Sequence, residues 1–180
     1  MKNILKKDLR PHQSKVLQFH IRCKYSVNGF QMGLGKTAIA LALCEYVGKK
    51  ALIICPAYLR HHWLDEIKEF CPGRSTYRVM SYGSMAKVKE KYDVVIFDEM
   101  HYLKNIKAKR TNAAHSYLID YKPEYMLGLT GTPVKNRVPE FWSLIWAAHY
   151  GNEATAKAFK RFSNPFDFND HFSFRREKSY

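Results

Sequence analysis

Gly29-Phe30-Gln31-Met32-Gly33-Leu34-Gly35-Lys36-Thr37 is a glycine-rich turn running into helix-forming sequence, and its reading decides the fold. A triphosphate is a dense anion, and a turn of this kind at a helix start aims several backbone N–H groups and the positive end of the helix dipole at it. Gly33 and Gly35 give the backbone close approach. In such a loop the lysine, here Lys36, sits as a point charge between the outer phosphates and the hydroxyl of Thr37 holds Mg²⁺. Met32, Leu34 and Ala38 complete the cradle. The run from Ala38 to Val47 is rich in helix formers and Gly48 is its stop. Upstream, Tyr25 to Gly29 predicts a short buried strand, so the loop has the strand-turn-helix context that the chemistry needs. The spacing departs from the common pattern in one place, with Phe30 where a glycine is usual and the glycine one position earlier at Gly29.

The second half of a triphosphate site follows Asp93-Val94-Val95-Ile96-Phe97, an apolar β-branched run that predicts a fully buried strand. Asp98 and Glu99 then lie at the carboxyl end of a strand, the edge where open parallel sheets bind ligands. Alone, an Asp-Glu pair after a strand reads as a solvated turn. With Gly-Leu-Gly-Lys-Thr upstream it reads as a site, Asp98 for Mg²⁺ and Glu99 to orient and deprotonate the attacking water. ATP and Mg²⁺ are the expected ligands.

Asp98-Glu99-Met100-His101 resembles the second motif of superfamily-two helicases and translocases, and its surroundings resemble the Swi/Snf-like branch of DNA-dependent ATPases. Leu9-Arg10-Pro11-His12-Gln13 is similar to that branch's opening motif, in which the glutamine, here Gln13, reads adenine. Ala51 to Pro56 with Leu59 and Trp63-Leu64-Asp65-Glu66 resembles the strand, loop and helix that come next, and Val79 to Gly83 the following strand end. Leu103-Lys104-Asn105 follows the acidic motif, and Leu127-Gly128-Leu129-Thr130-Gly131-Thr132-Pro133 with Asn136 is similar to the third motif. The resemblance covers residues 9 to about 145 and implies an α/β fold, a three-layer RecA-like P-loop NTPase domain with a mostly parallel central sheet.

It also implies coupling residues, His101 linking nucleotide to nucleic acid and Thr130, Gly131 and Thr132 sensing the γ-phosphate beside the acidic pair. Phe30-Gln31 stand where most relatives carry Asp-Glu. The complete engine has two RecA-like lobes, the second supplying arginines to the γ-phosphate, and nothing after Asn136 resembles those later motifs. A second lobe in trans, or self-association, is therefore expected as a partner beside DNA, which is preferred over RNA. Loss of an arginine finger costs on the order of 10³ to 10⁵ in rate. The expectation is a lobe that binds ATP, turns it over poorly alone, and couples hydrolysis to movement on DNA when completed. The competing reading is a lone adaptor that holds nucleotide or nucleic acid without hydrolysis.

Composition points the same way. Thirty Lys plus Arg against 16 Asp plus Glu give a formal net charge of +14, a field that attracts nucleic-acid phosphates. At 180 residues with 46% hydrophobic content the chain suits one domain with a sizeable core. Residues 1–150 are expected to form the lobe, and 151–180 an aromatic and basic extension of it, with Phe159, Phe162, Phe166, Phe168, Phe172 and Phe174 too apolar to leave in water. The four cysteines show no close pairing and read as reduced thiols. The basic start lacks the apolar segment of a signal peptide, and no apolar run is long enough to span a membrane. A soluble protein of the cytoplasm, nucleoid or nucleus is expected, an infected cell included. His61-His62 diverge on a helix without ligand spacing and read as surface residues, and Trp63 reads as core or as a helix–sheet contact.

Along the chain, helices are predicted over Leu9–Cys23, Leu59–Phe70, Ser84–Lys91, Ile106–Leu118 and Pro139–Tyr150. Strands are predicted over Tyr77–Ser81 and Tyr125–Leu129.

Overall fold

Short apolar runs alternate with longer amphipathic ones, and the chain resolves them into parallel strands joined by crossovers. In the computed structural model, residues 4–105, 107–131 and 173–174 are described. The strands are β1 (Tyr25–Asn28), β2 (Lys50–Cys55), β3 (Thr76–Ser81), β4 (Val94–Phe97), β5 (Tyr125–Leu129) and β6 (Ser173–Phe174). They form one sheet in the order β3-β2-β4-β5-β1-β6, and every pair is parallel. The helices are α1 (Pro11–Cys23), α2 (Lys36–Val47), α3 (Arg60–Phe70) and α4 (Lys109–Tyr121). Among the described residues no helix is long and apolar enough to cross a membrane.

The strand period of two sorts the core into two layers. Ala51, Ile53 and Cys55 of β2, Val94 and Ile96 of β4 and Leu127 and Leu129 of β5 face α1, α2 and α3. Leu52, Ile54, Val95, Phe97 and Met126 face the opposite side, where α4 and the turns after β3 and β4 cover them. This is the three-layer α/β architecture expected from the sequence. α2 is buried nearly all round, from Ile39 to Glu45, because it lies between the sheet, α1 and α3. It ends at Gly48, whose φ of 66° lets the cap N–H reach Cys44 O. Glu45, although buried, is satisfied by Arg74 N–H at 2.9 Å, Ser75 N–H at 3.2 Å and Tyr77 O–H at 2.6 Å, which tie α2 to the start of β3.

Several element ends shift by a few residues from the sequence reading, and three differences have a visible cause. α1 begins at Pro11 rather than Leu9, because the Gln13 side chain accepts Arg10 N–H at 2.8 Å and closes the helix there. α4 spans Lys109–Tyr121 rather than 106–118, ending at Lys122 in the left-handed region just before Pro123. The polar helix expected over 84–91 is instead a 3₁₀ segment, Tyr82–Lys87. Tyr82 and Met85, three residues apart, both bury, which suits a period of three better than an α-helix. The helix expected over 139–150 lies outside the described residues, as does most of the 151–180 extension. Ser173–Phe174 pairs in parallel with Val27–Asn28 at the edge of the sheet. Cys23 is exposed, Cys44, Cys55 and Cys71 are buried, and all four are free thiols.

His20 on α1 is fully buried, with Nδ1 2.8 Å from Ser26 Oγ of β1. Burial pushes its imidazole down from 6.5 to about 3, so it stays neutral in the fold. The unfolded chain takes up a proton near 6.5 and the folded chain does not, so this stability is complete above 6.5 and is lost as pH falls toward 3. Urea unfolding is expected to weaken by about 1.4 kcal/mol per pH unit from this group alone between pH ~6.5 and ~5. In His20→Gln that slope should be absent, and an unchanged slope would assign it to other groups.

Candidate functional site

Because all strands run the same way, the loops after β1, β2, β3, β4 and β5 emerge on one edge of the sheet, which brings the glycine-rich loop, the acidic pair and the Thr130-Gly131 turn to the same side. In the loop after β1, Phe30 is fully buried and its N–H bonds Asn28 Oδ1 at 3.0 Å. Gly33 and Gly35 take φ values of 80° and 79°, which L side chains rarely adopt. Gly35 has a second reason to be glycine, since a Cβ there would lie 2.0 Å from Gln13 Nε2. The Gln13 amide also reaches Leu34 O at 3.4 Å, and His12 Nε2 lies 3.5 Å from the same carbonyl. The opening motif therefore braces the phosphate loop from behind. Met32 projects into solvent, 73% exposed.

Lys36 and Thr37 open α2, with Gly35 as its left-handed N-cap. The Lys36 ammonium folds back onto the loop, donating to Phe30 O at 2.9 Å and Gln31 O at 3.3 Å. Partial burial lowers its pKa, and the charges of Glu99 and Asp98 pull it back up. Loop lysine and acidic pair thus share one edge and feel one another's charge.

β4 delivers that pair. Its ladder continues one residue past the strand, Asp98 N–H donating to Ile54 O at 2.8 Å, and Glu99 then turns sharply with φ 49° and ψ 52°. A non-glycine residue in the left-handed region costs on the order of 1–3 kcal/mol, and such residues cluster at functional sites. The turn separates the two carboxylates. Asp98 is held by Trp63 Nε1–H on Oδ2 at 2.8 Å and by Glu99 N–H on Oδ1 at 2.9 Å. Burial raises its pKa above the usual carboxylate value, opposed by the Trp63 hydrogen bond and by Lys36. Glu99 points elsewhere, its Oε2 3.1 Å from His101 Nδ1.

β5 ends beside β4, with Phe97 opposite Gly128. A Cβ at Gly128 would lie 2.0 Å from Met100 Sδ, so glycine there lets the turn after the acidic pair seat on β5. Thr130 is fully buried and its N–H bonds Asn28 O at 3.0 Å, which ties the end of β5 to the base of the phosphate loop. Gly131 faces that loop, a Cβ there lying 3.4 Å from Met32 Cγ and 3.7 Å from Lys36 Nζ. The Thr-Gly turn was expected beside the acidic pair; its described part packs on the loop lysine. Thr132 lies outside the described residues.

One feature of the edge was not read from the sequence. A cleft of about 640 Å³ lies beyond the acidic turn, lined among others by Tyr58, Ser81, Tyr82, Tyr102, Lys109 and Arg110. The Tyr82 and Tyr102 rings stack with centroids 5.5 Å apart and 6° between planes. The Arg110 guanidinium sits 5.4 Å from the Tyr102 ring and its Nε–H donates to Tyr102 O at 2.7 Å. Tyr58 is 72% exposed. Tyr82 O–H donates to Asp98 O at 2.7 Å, so the cleft wall and the acidic strand end share a hydrogen bond. The signal for it was an aromatic or a cation soon after each of three strands. It passed unread because tyrosines in separate segments look like scattered core residues.

The chain is similar to known proteins. Residues 12–94 and 75–178 match the SNF2-related domain. The chain is 29% identical to Helicase SWR1 of Cryptococcus neoformans over 98% of its own length and 17% of that protein. It is 28% identical to a probable ATP-dependent helicase of Plasmodium falciparum, covering 79% of this chain and 8% of the relative. To the mouse chromodomain-helicase-DNA-binding protein 1-like it is 27% identical, over 76% of this chain and 19% of the relative. It therefore spans less than a fifth of each of these relatives. Among solved structures, the Sulfolobus solfataricus SWI2/SNF2 ATPase core in complex with dsDNA superposes with a TM-score of 0.79 at 21% identity, over 96% of this chain and 45% of that one. That likeness fixes the fold as a RecA-like lobe. The domain match spans both the phosphate loop and the acidic turn, and on it the chain belongs to the SNF2-related family.

Proposed function

We propose that this chain is the ATP-binding lobe of a DNA-dependent ATPase, coupling hydrolysis to movement on DNA once a second lobe is supplied. The observation that carries the reading is the placement of Lys36, after β1, and of Asp98 and Glu99, after β4, at the same edge of one parallel sheet. On this reading Gly33, Leu34, Gly35 and the first turn of α2, with Thr37 and Ala38, cradle the phosphates by backbone N–H groups, and Met32 flanks them. Lys36 leaves the carbonyls of Phe30 and Gln31 for the outer phosphates. Gln13 reads adenine, exchanging a contact with Leu34 O for the base.

The donor set suits Mg²⁺. One hydroxyl, Thr37, and one carboxylate, Asp98, leave the remaining positions to phosphate oxygens and water, as this cation prefers. Among the described residues no group of three or more His, Cys, Asp or Glu stands together, which fits a shared site rather than a protein cage. When bound, Mg²⁺ would neutralise charge on the β- and γ-phosphate oxygens. Glu99 accepts the proton of the water that attacks the γ-phosphorus as the bond to the bridging oxygen breaks, leaving ADP and phosphate. His101 holds the Glu99 carboxylate in line, and Thr130, Gly131 and Thr132 sense the γ-phosphate through the loop.

The aromatic and basic cleft, together with the net charge of +14, supports DNA as the polymer that this edge meets. Steady-state ATP hydrolysis by the 180-residue chain, with and without duplex and single-stranded DNA, tests the reading. The expected result is Mg²⁺-dependent ATP binding with turnover some 10³ to 10⁵ below that of a completed engine, rising with DNA when a second lobe is added. Failure to bind ATP would end the proposal. Binding with no hydrolysis even beside a second lobe would favour the adaptor.

A further inference from the structure

We propose that Trp63 is a positioning residue for the metal-binding carboxylate, its indole N–H fixing the plane of Asp98. Trp63 lies in the first turns of α3 and is 1% exposed, and its Nε1–H donates to Asp98 Oδ2 at 2.8 Å across 35 residues of sequence. The second carboxylate oxygen, Oδ1, accepts Glu99 N–H at 2.9 Å. Two donors from two different elements therefore grip the two oxygens, and rotation of the carboxylate breaks one bond or both. The main chain of Asp98 is pinned as well, its N–H on Ile54 O at 2.8 Å and its C=O receiving Tyr82 O–H at 2.7 Å. Each carboxylate oxygen can accept two bonds, so both keep a lone pair in a defined direction for a cation.

The indole is suited to this task. It donates one hydrogen bond, accepts none and carries no charge, so it orients the carboxylate without competing for the metal. A phenylalanine would fill much of the same space in the layer that Trp63 shares with Ile53, Ile96 and Leu127, so packing alone does not account for the N–H. A buried indole N–H finds a partner, and here that partner is the strand-end acid. Groups that orient a ligating side chain from behind change metal affinity about 10- to 100-fold when removed.

The proposal rests on Asp98 as the metal ligand, and the experiment separates the two. The 180-residue parent, Trp63→Phe and Asp98→Ala are titrated with a fluorescent ATP analogue in Mg²⁺ and in EDTA, after thermal melts confirm folding. Trp63→Phe should raise the half-saturating Mg²⁺ concentration about 10- to 100-fold and leave the affinity in EDTA unchanged. Equal weakening in both media would make Trp63 a packing residue and overturn the proposal. If Asp98→Ala loses the Mg²⁺ dependence and Trp63→Phe keeps it, the proposal alone falls. If Asp98→Ala keeps it, the metal-ligand reading falls and takes the proposal with it.

A measurement on the parent ring guards against a variant that does not fold. With ¹⁵N-labelled tryptophan, and with Trp142→Phe and Trp146→Phe used to assign the three indole resonances, the Trp63 N–H signal should move on adding Mg²⁺ with ADP and stay in place for ADP in EDTA. A signal indifferent to the metal would overturn the proposal equally.

Discussion

Glu99→Gln is expected to bind ATP as tightly as the parent and to hydrolyse it about 10² to 10⁴ times more slowly. The substitution keeps the shape of the side chain and removes the basic oxygen. Binding is preserved because the groups assigned to the phosphates and the metal, namely the loop N–H groups, Lys36, Thr37 and Asp98, are untouched. Asp98 keeps its two donors, since the Glu99 N–H that bonds Oδ1 belongs to the backbone. The turn at Glu99, φ 49° and ψ 52°, is held by neighbours on both sides: Met100 is seated under Gly128, and Asp98 is pinned by Tyr82. The 3.1 Å approach of Glu99 Oε2 to His101 Nδ1 involves no group assigned to the phosphates or the metal, so a change there leaves binding in place. Single-turnover hydrolysis beside a binding isotherm separates the two effects. A variant that hydrolyses ATP at the parental rate would remove Glu99 from the role of base.

The phosphate loop and the acidic turn were legible because their chemistry is local. Glycines at 33 and 35 announce a backbone conformation, and β-branched residues from Val94 to Phe97 announce a buried strand that must end at a carboxylate. Parallel topology then brings the two together without further information, since a right-handed crossover puts every strand's carboxyl end on the same edge. What the sequence hid is long-range. Nothing near Trp63 says that its N–H meets Asp98, or near Gly35 that its missing Cβ makes room for Gln13. The segment from Ser84 to Lys91 misled because its polar residues suit a short helix. The burial of Tyr82 and Met85 against α4 fixed a 3₁₀ path that no local propensity signals. The cleft lined by Tyr58, Tyr102 and Arg110 draws on loops after different strands, so it exists only once the strand order is known.

The packing of the edge also offers the residues proposed for coupling a physical route. Thr130 N–H is bonded to Asn28 O, and Asn28 Oδ1 in turn holds Phe30 N–H, so the end of β5 and Phe30 of the loop are two bonds apart. On the other side, Tyr82 joins Asp98 to an aromatic stack that Arg110 covers. On the proposed function, a change at Asp98 would be felt in the cleft through Tyr82, and a change at the loop would be felt at β5 through Asn28.

Lys36→Ala is expected to weaken ATP binding by about 2–5 kcal/mol, roughly 30- to several-thousand-fold, because it removes the charged partner of the outer phosphates from a half-enclosed site. The structure separates this effect from a loss of fold. Among the described residues the Lys36 ammonium donates to the carbonyls of Phe30 and Gln31, at 2.9 and 3.3 Å, two bonds that water can take over. Alanine, the strongest helix former, suits the first turn of α2. Thermal melts should therefore stay close to the parent while isothermal titration with ATP and Mg²⁺ shows the loss. The charge is not the whole requirement. Burial already opposes protonation at Lys36, and Glu99 and Asp98 sustain it, so a compact ammonium is matched to that narrow space beside Gly131. Lys36→Arg keeps the charge but carries a planar fork too wide for a point-charge position, and it should recover only part of the affinity. ATP binding by Lys36→Ala at parental strength would mean that the glycine-rich turn does not hold the phosphates.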